Sequence, residues 1–435
     1  MKSWVISLLV AGVFCNVIQH PAQAQEKKHP VISVSNPEAA GMLAGRLHRI
    51  DTVLNEYVKN QWTNAAVALI IRNGKIAYYK SFGYDDMTTR KPMRNDGIFR
   101  IASQTKAITS VAVMMLYEQG KFLLDDPISK YIPEFKNPVV LDQYHEQDTT
   151  YTTVPAKREI TIRNLLSHTS GIGYAQIGDG ALNAIYHKNG IPSGLGLEKK
   201  LLGDEIKILG KLPLLHQPGE RFTYGLNVDV LGYLVEVLSG MSLSDFFRKN
   251  IFEPLGMKDT FFYLPTDKQD RLVSLYIVDS AGSLRKSPGY IDVNGTRMFD
   301  YPKAKGTYYA GGAGLTSTIM DYAIFLQMLL NDGYYNGKRI LSRNTVRLMT
   351  MNQVGDLSVG GYKFGLGFQV VTKEAVSLSP LQEGSFSWGG AFATTYWVDP
   401  KEKIVALLYK QLWDDQHENE LREKFKALVY QAIAD

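Results

Sequence analysis

The segment 104–119 constrains the fold most strongly, because the helix it predicts is apolar on nearly every side. A helix at the surface of a globular protein has one apolar stripe and one polar face. Here the apolar residues surround the helix axis, and Gly120 follows as a helix stop. The segment therefore predicts a central helix buried inside a large domain. Its apolar residues are Ala107, Ile108, Val111, Ala112, Met114, Met115 and Leu116.

Segments rich in β-forming residues lie near both ends of the chain. Residues 66–72 and 75–81 are joined by Asn73-Gly74, a pair typical of a tight type I′ hairpin turn. Residues 392–398 and 404–409 form a second predicted hairpin. We therefore expect a mixed α/β (α+β) fold, with an antiparallel sheet built from both termini and flanked by helices.

Helical periodicity predicts five further helices, and Ser317 and Gly333 are the expected cap and stop of the fourth. They are residues 47–58, 229–238, 244–251, 317–330 and 420–433. The length of 435 residues alone suggests two or three domains, but no internal repeat or linker divides the chain. We expect one domain over residues 25–435, with a helix-rich insert at about 137–301.

Charge and cysteine content exclude several classes of function. The chain has 48 Lys and Arg against 43 Asp and Glu, and no strongly basic run, which argues against nucleic-acid or membrane-surface partners. The single cysteine excludes a disulfide framework and a thiolate metal cluster. The eight histidines have no ligand spacing, so no metal site is predicted.

The N-terminus has the pattern of a secretory signal peptide. Lys2 precedes an apolar run at 4–13, and Ala22-Gln23-Ala24 is a cleavage site of the small-x-small type. The run is too short for a stable transmembrane helix. We expect cleavage after Ala24, removal of Cys15 with residues 1–24, and a periplasmic or secreted protein.

Ser103 and Lys106 are the candidate nucleophile and base. The chain has neither a Gly-x-Ser-x-Gly nor a His-Glu-x-x-His motif. If the buried helix begins at Ser103, Lys106 lies one turn later on the same face, and the helix N-terminus favours negative charge at the hydroxyl. Spacing alone is weak evidence, because Ser283 and Lys286 repeat it in a polar loop. The buried helix after Ser103 distinguishes the first pair.

At this point the chain resembles class C β-lactamase-like serine hydrolases, a superfamily that includes DD-peptidases and family VIII carboxylesterases. The resemblance begins with the motif Ser103-Gln104-Thr105-Lys106 and keeps the family's order over nearly the whole mature chain. The matching segments are 99–106, 123–128, 160–171, 218–224, 252–257, 311–330 and 386–400. It implies the serine β-lactamase/DD-peptidase fold, and no metal or organic cofactor.

The resemblance implies that Ser103 is acylated, with Lys106 and Tyr224 moving protons. Tyr224 occupies the tyrosine position of the family's Tyr-x-Asn motif. Leu226 stands where the asparagine belongs, and Asn227 comes one residue later. The run Asp-Val-Leu-Gly at 229–232 resembles the sequence that follows the tyrosine in the esterase branch. We include Asn227 among the predicted substrate-binding residues.

The third family motif is replaced by Trp388-Gly389-Gly390, all three predicted to contact substrate. The resemblance implies that the N–H groups of Ser103 and Ala391 form the oxyanion hole. The cation and hydroxyl that would hold the carboxylate of a β-lactam or peptide are missing, which favours neutral esters. Trp388 is expected to wall the acyl or alcohol pocket.

Other aromatic residues are less informative. In its context, His168 is predicted to be a structural turn residue and not a catalytic group. Five aromatic residues fit either a pocket or the core, and the sequence does not decide between the two. They are Tyr84, Tyr308, Tyr309, Phe392 and Trp397.

The leading hypothesis is an exported serine hydrolase that cleaves small carboxylic esters through an acyl-enzyme. A β-lactamase, a D-Ala-D-Ala carboxypeptidase or a D-amino-acid amidase would use the same residues on amides. An acyltransferase would pass the acyl group to an alcohol instead of water. A non-catalytic cell-wall binding protein is the fourth alternative, although it would not need Ser103, Lys106 and Tyr224. The sequence does not predict an oligomeric state.

Overall fold

A computed structural model describes residues 29–192, 195, 199–293, 296–299 and 301–434. The predicted signal peptide therefore lies outside the described residues. Within these ranges the α-helices are α1 Ala44–Lys59, α2 Thr105–Glu118, α3 Ile162–Leu166, α4 Gly180–Lys188, α5 Leu202–Leu209, α6 Asn227–Ser239, α7 Leu243–Phe247, α8 Glu253–Leu255, α9 Ile319–Leu330, α10 Arg343–Met349 and α11 Glu418–Tyr430.

Most strands are short. They are β1 Ser33–Val34, β2 Ala65–Arg72, β3 Lys75–Asp86, β4 Lys91–Pro92, β5 Ile98–Arg100, β6 Val139–His145, β7 Thr150–Pro155, β8 Tyr276–Val278, β9 Leu284–Lys286, β10 Tyr290–Val293, β11 Thr296–Phe299, β12 Thr316–Thr318, β13 Tyr334–Tyr335, β14 Lys338–Arg339, β15 Lys363–Phe364, β16 Gln369–Val370, β17 Phe386–Gly390, β18 Thr394–Asp399, β19 Ile404–Tyr409 and β20 Leu412–Trp413.

The main sheet joins the two ends of the chain, as predicted. Its order is β1-β3-β2-β19-β18-β17-β16-β15, with β4 beside β3. The central contact is antiparallel, from the pair of Ile404 and Arg72 to the pair of Tyr409 and Val67. The turn at Asn73-Gly74 has positive φ at both residues (56° and 74°), which the type I′ turn requires. The expected α/β architecture is confirmed.

Strand β2 is buried on both faces, which explains why it reads as a continuous apolar run. Val67, Leu69 and Ile71 point into the larger core, which also contains α2 and α9. Ala66 and Ala68 point to the opposite face, where they meet α1 and α11. Because side chains alternate along a strand, one sheet supplies a face to each of two helical layers.

Helix α2 has the central position that its composition predicts. It packs against α6, and its residues from Thr105 to Met114 are all buried. The α-helix begins at Thr105, however, because Ala102–Gln104 form a 3₁₀ turn before it. Ser103 therefore lies in this 3₁₀ turn, two residues before the α-helix begins, and is not the first residue of the helix.

Several predicted boundaries also differ. Thr318, not Ser317, caps α9, since its side chain accepts the N–H of Asp321. The segment predicted as strand 392–398 begins later, at Thr394, because Ala393 has a positive φ of 58° in the turn after β17. Residues 137–301 contain helices and also the hairpins β6–β7, β8–β9 and β10–β11, which the sequence did not indicate.

We expect Leu407→Ala to destabilise the fold, because Leu407 is fully buried in the central strand β19. Truncation of a buried leucine costs about 2–5 kcal/mol. Thermal and urea unfolding would measure the loss. Leu123→Ala is the matched control, since Leu123 is 67% exposed. Equal unfolding midpoints for the two variants would contradict the central role of β19.

Candidate active site

Ser103 lies in a tight turn between strand β5 and helix α2. The preceding residue, Ala102, has a φ of 42°, a conformation that residues other than glycine rarely adopt. The turn leaves Ser103 partly exposed on a cavity wall while its neighbours on both sides are buried. Such strained turns are held by the surrounding structure and concentrate at functional sites.

Lys106 is buried beside Ser103, with a side chain that is almost inaccessible to solvent. Its Nζ lies 3.3 Å from the Ser103 Oγ, 2.9 Å from the Tyr174 hydroxyl and 2.7 Å from the Gly312 carbonyl oxygen. A buried amine needs such partners, since even an uncharged polar group buried without a hydrogen bond costs about 1–3 kcal/mol. The predicted pair of Ser103 and Lys106 is thus brought into contact.

Tyr224 lies over the same lysine. The Lys106 Nζ is 4.7 Å from the centroid of the Tyr224 ring. The Trp388 indole N–H donates to the Tyr224 hydroxyl oxygen at 3.3 Å. Trp388 therefore does more than wall the cavity, because its N–H occupies an acceptor site of the predicted catalytic phenol.

Asp229 is a member of this network that the sequence reasoning missed. Its Oδ1 accepts the N–H of Gly312 at 3.1 Å, and the carbonyl of the same glycine accepts from Lys106. Burial raises the pKa of Asp229 from 3.8 to about 6, against the opposing effects of Lys106 and the Gly312 N–H. A Cβ on Gly312 would overlap the Asp229 carboxylate, so any other residue there would displace that carboxylate. The available signal was Asp229 itself, an acid at the head of an apolar helix.

Tyr174 is the second missed residue. Burial, with smaller effects from Tyr224 and Asp229, raises the pKa of Tyr174 well above its usual value. The phenol therefore stays neutral and accepts a hydrogen bond from Lys106. Tyr174 follows the segment 160–171 by only three residues, but nothing in its spacing marked it as a partner of a lysine 68 positions earlier.

Strand β17 brings the third predicted motif to the nucleophile turn. A Cβ on Gly390 would overlap the carbonyl oxygen of Ile101, so the strand and the turn approach at a distance that only glycine permits. Ala391 and Ser103 line the same cavity, and the Ala391 N–H has no hydrogen-bond partner in the described chain. This placement is compatible with the predicted oxyanion hole.

Asn227 does not reach the cavity, and its prediction as a substrate-binding residue is wrong. It is the first residue of α6 and is fully buried. Its side-chain amide donates toward His168 Nδ1 at 3.0 Å, and its oxygen accepts from Ser170. Because the nitrogen and the oxygen of the amide are both hydrogen-bonded to residues of the 168–170 segment, Asn227 supports the loop behind Tyr224.

His168 is also structural. Burial, and then the charge of Lys106, lowers the pKa of His168 well below its usual value, so the ring is neutral. Its centroid lies 4.9 Å from that of Tyr224, and its φ of 55° places it in a tight turn. It does not line the cavity.

The cavity that contains Ser103 has a volume of about 580 Å³, enough for a small organic substrate. The predicted residues Trp388, Gly389 and Gly390 line it, together with Tyr224. None of the five undecided aromatic residues does. Residues that the sequence did not indicate include Tyr174, Gln176, Leu195, Tyr362, Trp413 and four charged residues of α11.

The other Ser-x-x-Lys sequence is not a site. Ser283 is exposed before strand β9, and Lys286 forms an ion pair with Asp86 at 2.6 Å.

Within the described ranges, no group of three or more His, Asp or Glu side chains is placed to hold a metal ion. No single described helix is long and apolar enough to cross a membrane, although α6 together with the bent segment Leu243–Leu255 meets the criteria of length and composition.

Proteins of related sequence include an esterase. Protein Rv1367c of Mycobacterium tuberculosis is 36% identical over 357 residues, which cover 79% of this chain and 84% of that protein. Esterase EstB of Burkholderia gladioli is 29% identical over 375 residues, which cover 83% of this chain and 89% of that protein.

Solved structures agree with the sequence relatives. EstCE1, described as a hydrolase with promiscuous acyltransferase activity, superimposes with a TM-score of 0.75 at 26% identity and covers 89% of this chain and 99% of its own. A family model described as Beta-lactamase matches residues 50–431. The chain therefore belongs to the beta-lactamase family and is a serine hydrolase.

Proposed function

We propose that the protein hydrolyses carboxylic esters through an acyl-enzyme on Ser103. The observation that carries the proposal is the 3.3 Å contact between a buried Lys106 Nζ and the Ser103 Oγ at the wall of a cavity. A nucleophile with a base in hydrogen-bond reach, and a base oriented by further groups, is the arrangement that covalent hydrolysis needs. The similarity to Esterase EstB supports the choice of esters.

The reaction proceeds in two halves. Ser103 Oγ attacks the ester carbonyl carbon, and Lys106 and Tyr224 carry its single proton from the hydroxyl to the leaving alcohol. The carbonyl oxygen becomes an oxyanion held by the N–H groups of Ser103 and Ala391, where one donor contributes about 2.7–4 kcal/mol. The alcohol leaves with the proton. Water then attacks the acyl carbon, and the same proton carriers and oxyanion donors act again. This second half releases the acid and restores Ser103.

The environment of Trp388 supports neutral esters over β-lactams and peptides. Trp388 stands where related enzymes of this superfamily carry a cation for the substrate carboxylate, and its only polar hydrogen is directed at Tyr224. A lost hydrogen bond to a charged group costs about 1.5–3 kcal/mol. A neutral ester has no carboxylate, so the absence of the cation does not weaken its binding.

We further propose that the protein is exported. The proposal rests on the leader pattern, namely Lys2, the apolar run at 4–13 and the cleavage site Ala22-Gln23-Ala24. A periplasmic or secreted location follows from cleavage after Ala24.

Ser103→Ala should abolish turnover of a short-chain p-nitrophenyl ester and labelling by a fluorophosphonate, because no other group replaces the nucleophile. Ser283→Ala is the matched control, since it changes the serine of the second Ser-x-x-Lys sequence and should leave both readouts unchanged. Activity that survives in Ser103→Ala would disprove the mechanism. Rapid cleavage of a chromogenic cephalosporin with negligible ester turnover would disprove the preference for esters.

Trp388→Phe should lower kcat/KM for the ester by about 2- to 13-fold, the equivalent of one neutral hydrogen bond. The phenyl ring retains most of the apolar wall but removes the N–H that binds the Tyr224 oxygen. Trp397→Phe is the control, because Trp397 is a fully buried tryptophan of β18 outside the cavity. Similar losses of kcat/KM in both variants would argue against a role for the indole N–H.

Asp229→Asn should separate stability from activity. Because the pKa of Asp229 is higher in the folded chain, the carboxyl favours folding at low pH and loses that contribution as the pH rises from about 4 through about 6. Asp229→Asn should thus be at least as stable as the wild type above about pH 6. Its kcat/KM should nevertheless fall about 10-fold, because a neutral amide oxygen holds the N–H of Gly312 less strongly than a carboxylate does, and the carbonyl of Gly312 positions Lys106.

Melting temperatures and ester kcat/KM measured from pH 5 to 9 test this expectation. The kcat/KM of the wild type should fall as the pH decreases, with a midpoint near the pKa of Asp229. The kcat/KM of the variant should not show this fall. A variant that is less stable above about pH 6 but fully active would contradict the role of Asp229.

A further inference from the structure

Helix α11 forms one wall of the cavity that contains Ser103. Glu418, Arg422, Glu423 and Lys426 all line that cavity. Their spacing of four, five and eight residues places them on one face of the helix. Glu420 lies in the same first turn but does not line the cavity. A substrate bound at Ser103 therefore shares its cavity with charged groups that catalysis does not use.

Three of these four side chains are paired with each other. Glu423 accepts from Lys426 at 2.9 Å and from Arg422 at 3.3 Å. Arg422 also donates to Asn419 at 2.8 Å. Each of the two cations on this wall is thus committed to a group of the same helix.

Glu418 is different, because its carboxylate makes no hydrogen bond or ion pair with any described residue. Burial is the main cause that raises the pKa of Glu418 above its usual value. The charges near it are Lys410, Arg422 and Asp415. Lys410 and Asp415 form a buried ion pair with each other, with side chains 2% and 1% exposed. Glu418 is therefore a carboxylate in the substrate cavity whose neighbouring cations are already bound elsewhere.

A role in the helix dipole does not account for this position. Acids in the first turn of a helix stabilise it, and that effect needs neither burial nor a cavity. Glu420 supplies such a charge and pairs with Lys424 on the exposed side. Glu418 is partly exposed to the cavity. Its carboxylate therefore loses part of its hydration, and a cation bound in the cavity would offset that free-energy cost.

We propose that Glu418 binds a cationic amine of the substrate, so that the cavity prefers esters with an ammonium group in the acyl or the alcohol part. This inference rests on the proposed ester hydrolysis at Ser103. Glu418 is a specificity residue in it, and takes no part in the bond-breaking steps.

Two ester series at about pH 8, where carboxylates and amines are both charged, test the proposal. The first contains p-nitrophenyl esters whose acyl chains end in ammonium, methyl or carboxylate, at several matched lengths. The second contains acetate esters of amino alcohols and of matched alkanols, followed by proton release. In at least one series the ammonium ester should exceed its apolar counterpart by about 10-fold in kcat/KM, mainly through KM.

Two variants assign the preference to a residue. Glu418→Gln should reduce the preference to near unity while leaving kcat/KM for the apolar ester unchanged. Glu420→Gln should retain the preference, since it removes an acid of the same helical turn that faces away from the cavity. Loss of the preference in both variants alike would overturn the proposal.

Two further outcomes would also overturn it. Equal kcat/KM for the ammonium and apolar esters in both series, with Ser103-dependent turnover intact, would refute the role of Glu418 and leave the proposed function standing. A preference for the carboxylate ester that disappears in Arg422→Gln would show that the wall binds anions instead. Failure to cleave any ester would refute the proposed function itself.

Discussion

The site depends on the burial of Lys106 at the head of a buried helix. An amine there must find polar partners, and two of the three acceptors of its Nζ come from distant parts of the chain. Ser103 is a local partner, Tyr174 lies between helices α3 and α4, and Gly312 precedes strand β12. One nitrogen atom thus fixes the relative positions of three segments. The buried carboxylate of Asp229 strengthens this arrangement through the Gly312 peptide.

The sheet supplies the second constraint. Because β2 and β19 pair directly, the C-terminal strands are placed beside the N-terminal hairpin, and β17 follows two strands away. This order brings Gly390 against Ile101 and so sets Ala391 beside the nucleophile turn. The position of Ala391 beside Ser103 is therefore a consequence of pairing between residues more than 300 positions apart.

The sequence predicted the parts of the structure whose signals are local. The hairpin at Asn73-Gly74, the buried helix α2 and the pair of Ser103 and Lys106 all follow from short patterns. Asp229, Tyr174 and the positive φ of Ala102 could not be predicted, because each depends on which segment packs against Lys106 or the turn. Asn227 was misassigned for the same reason, since its nearness to Tyr224 in sequence does not indicate on which side of the helix its amide lies. The exposed strand β7 carries no alternating pattern, and so its hairpin was missed.

Asp229 and Glu418 both have raised pKa values, but their carboxylates have different surroundings and different roles. The Asp229 carboxylate accepts a backbone N–H from Gly312, and the charge of Lys106 also favours its ionised form. Glu418 has no such partner, since Glu423 engages Arg422 and Lys426, and Asp415 engages Lys410. Both carboxylates oppose folding in their charged forms, but only that of Asp229 accepts a hydrogen bond within the described chain. A cationic ligand in the cavity can offset the free-energy cost of the Glu418 carboxylate, and the same cavity contains Ser103.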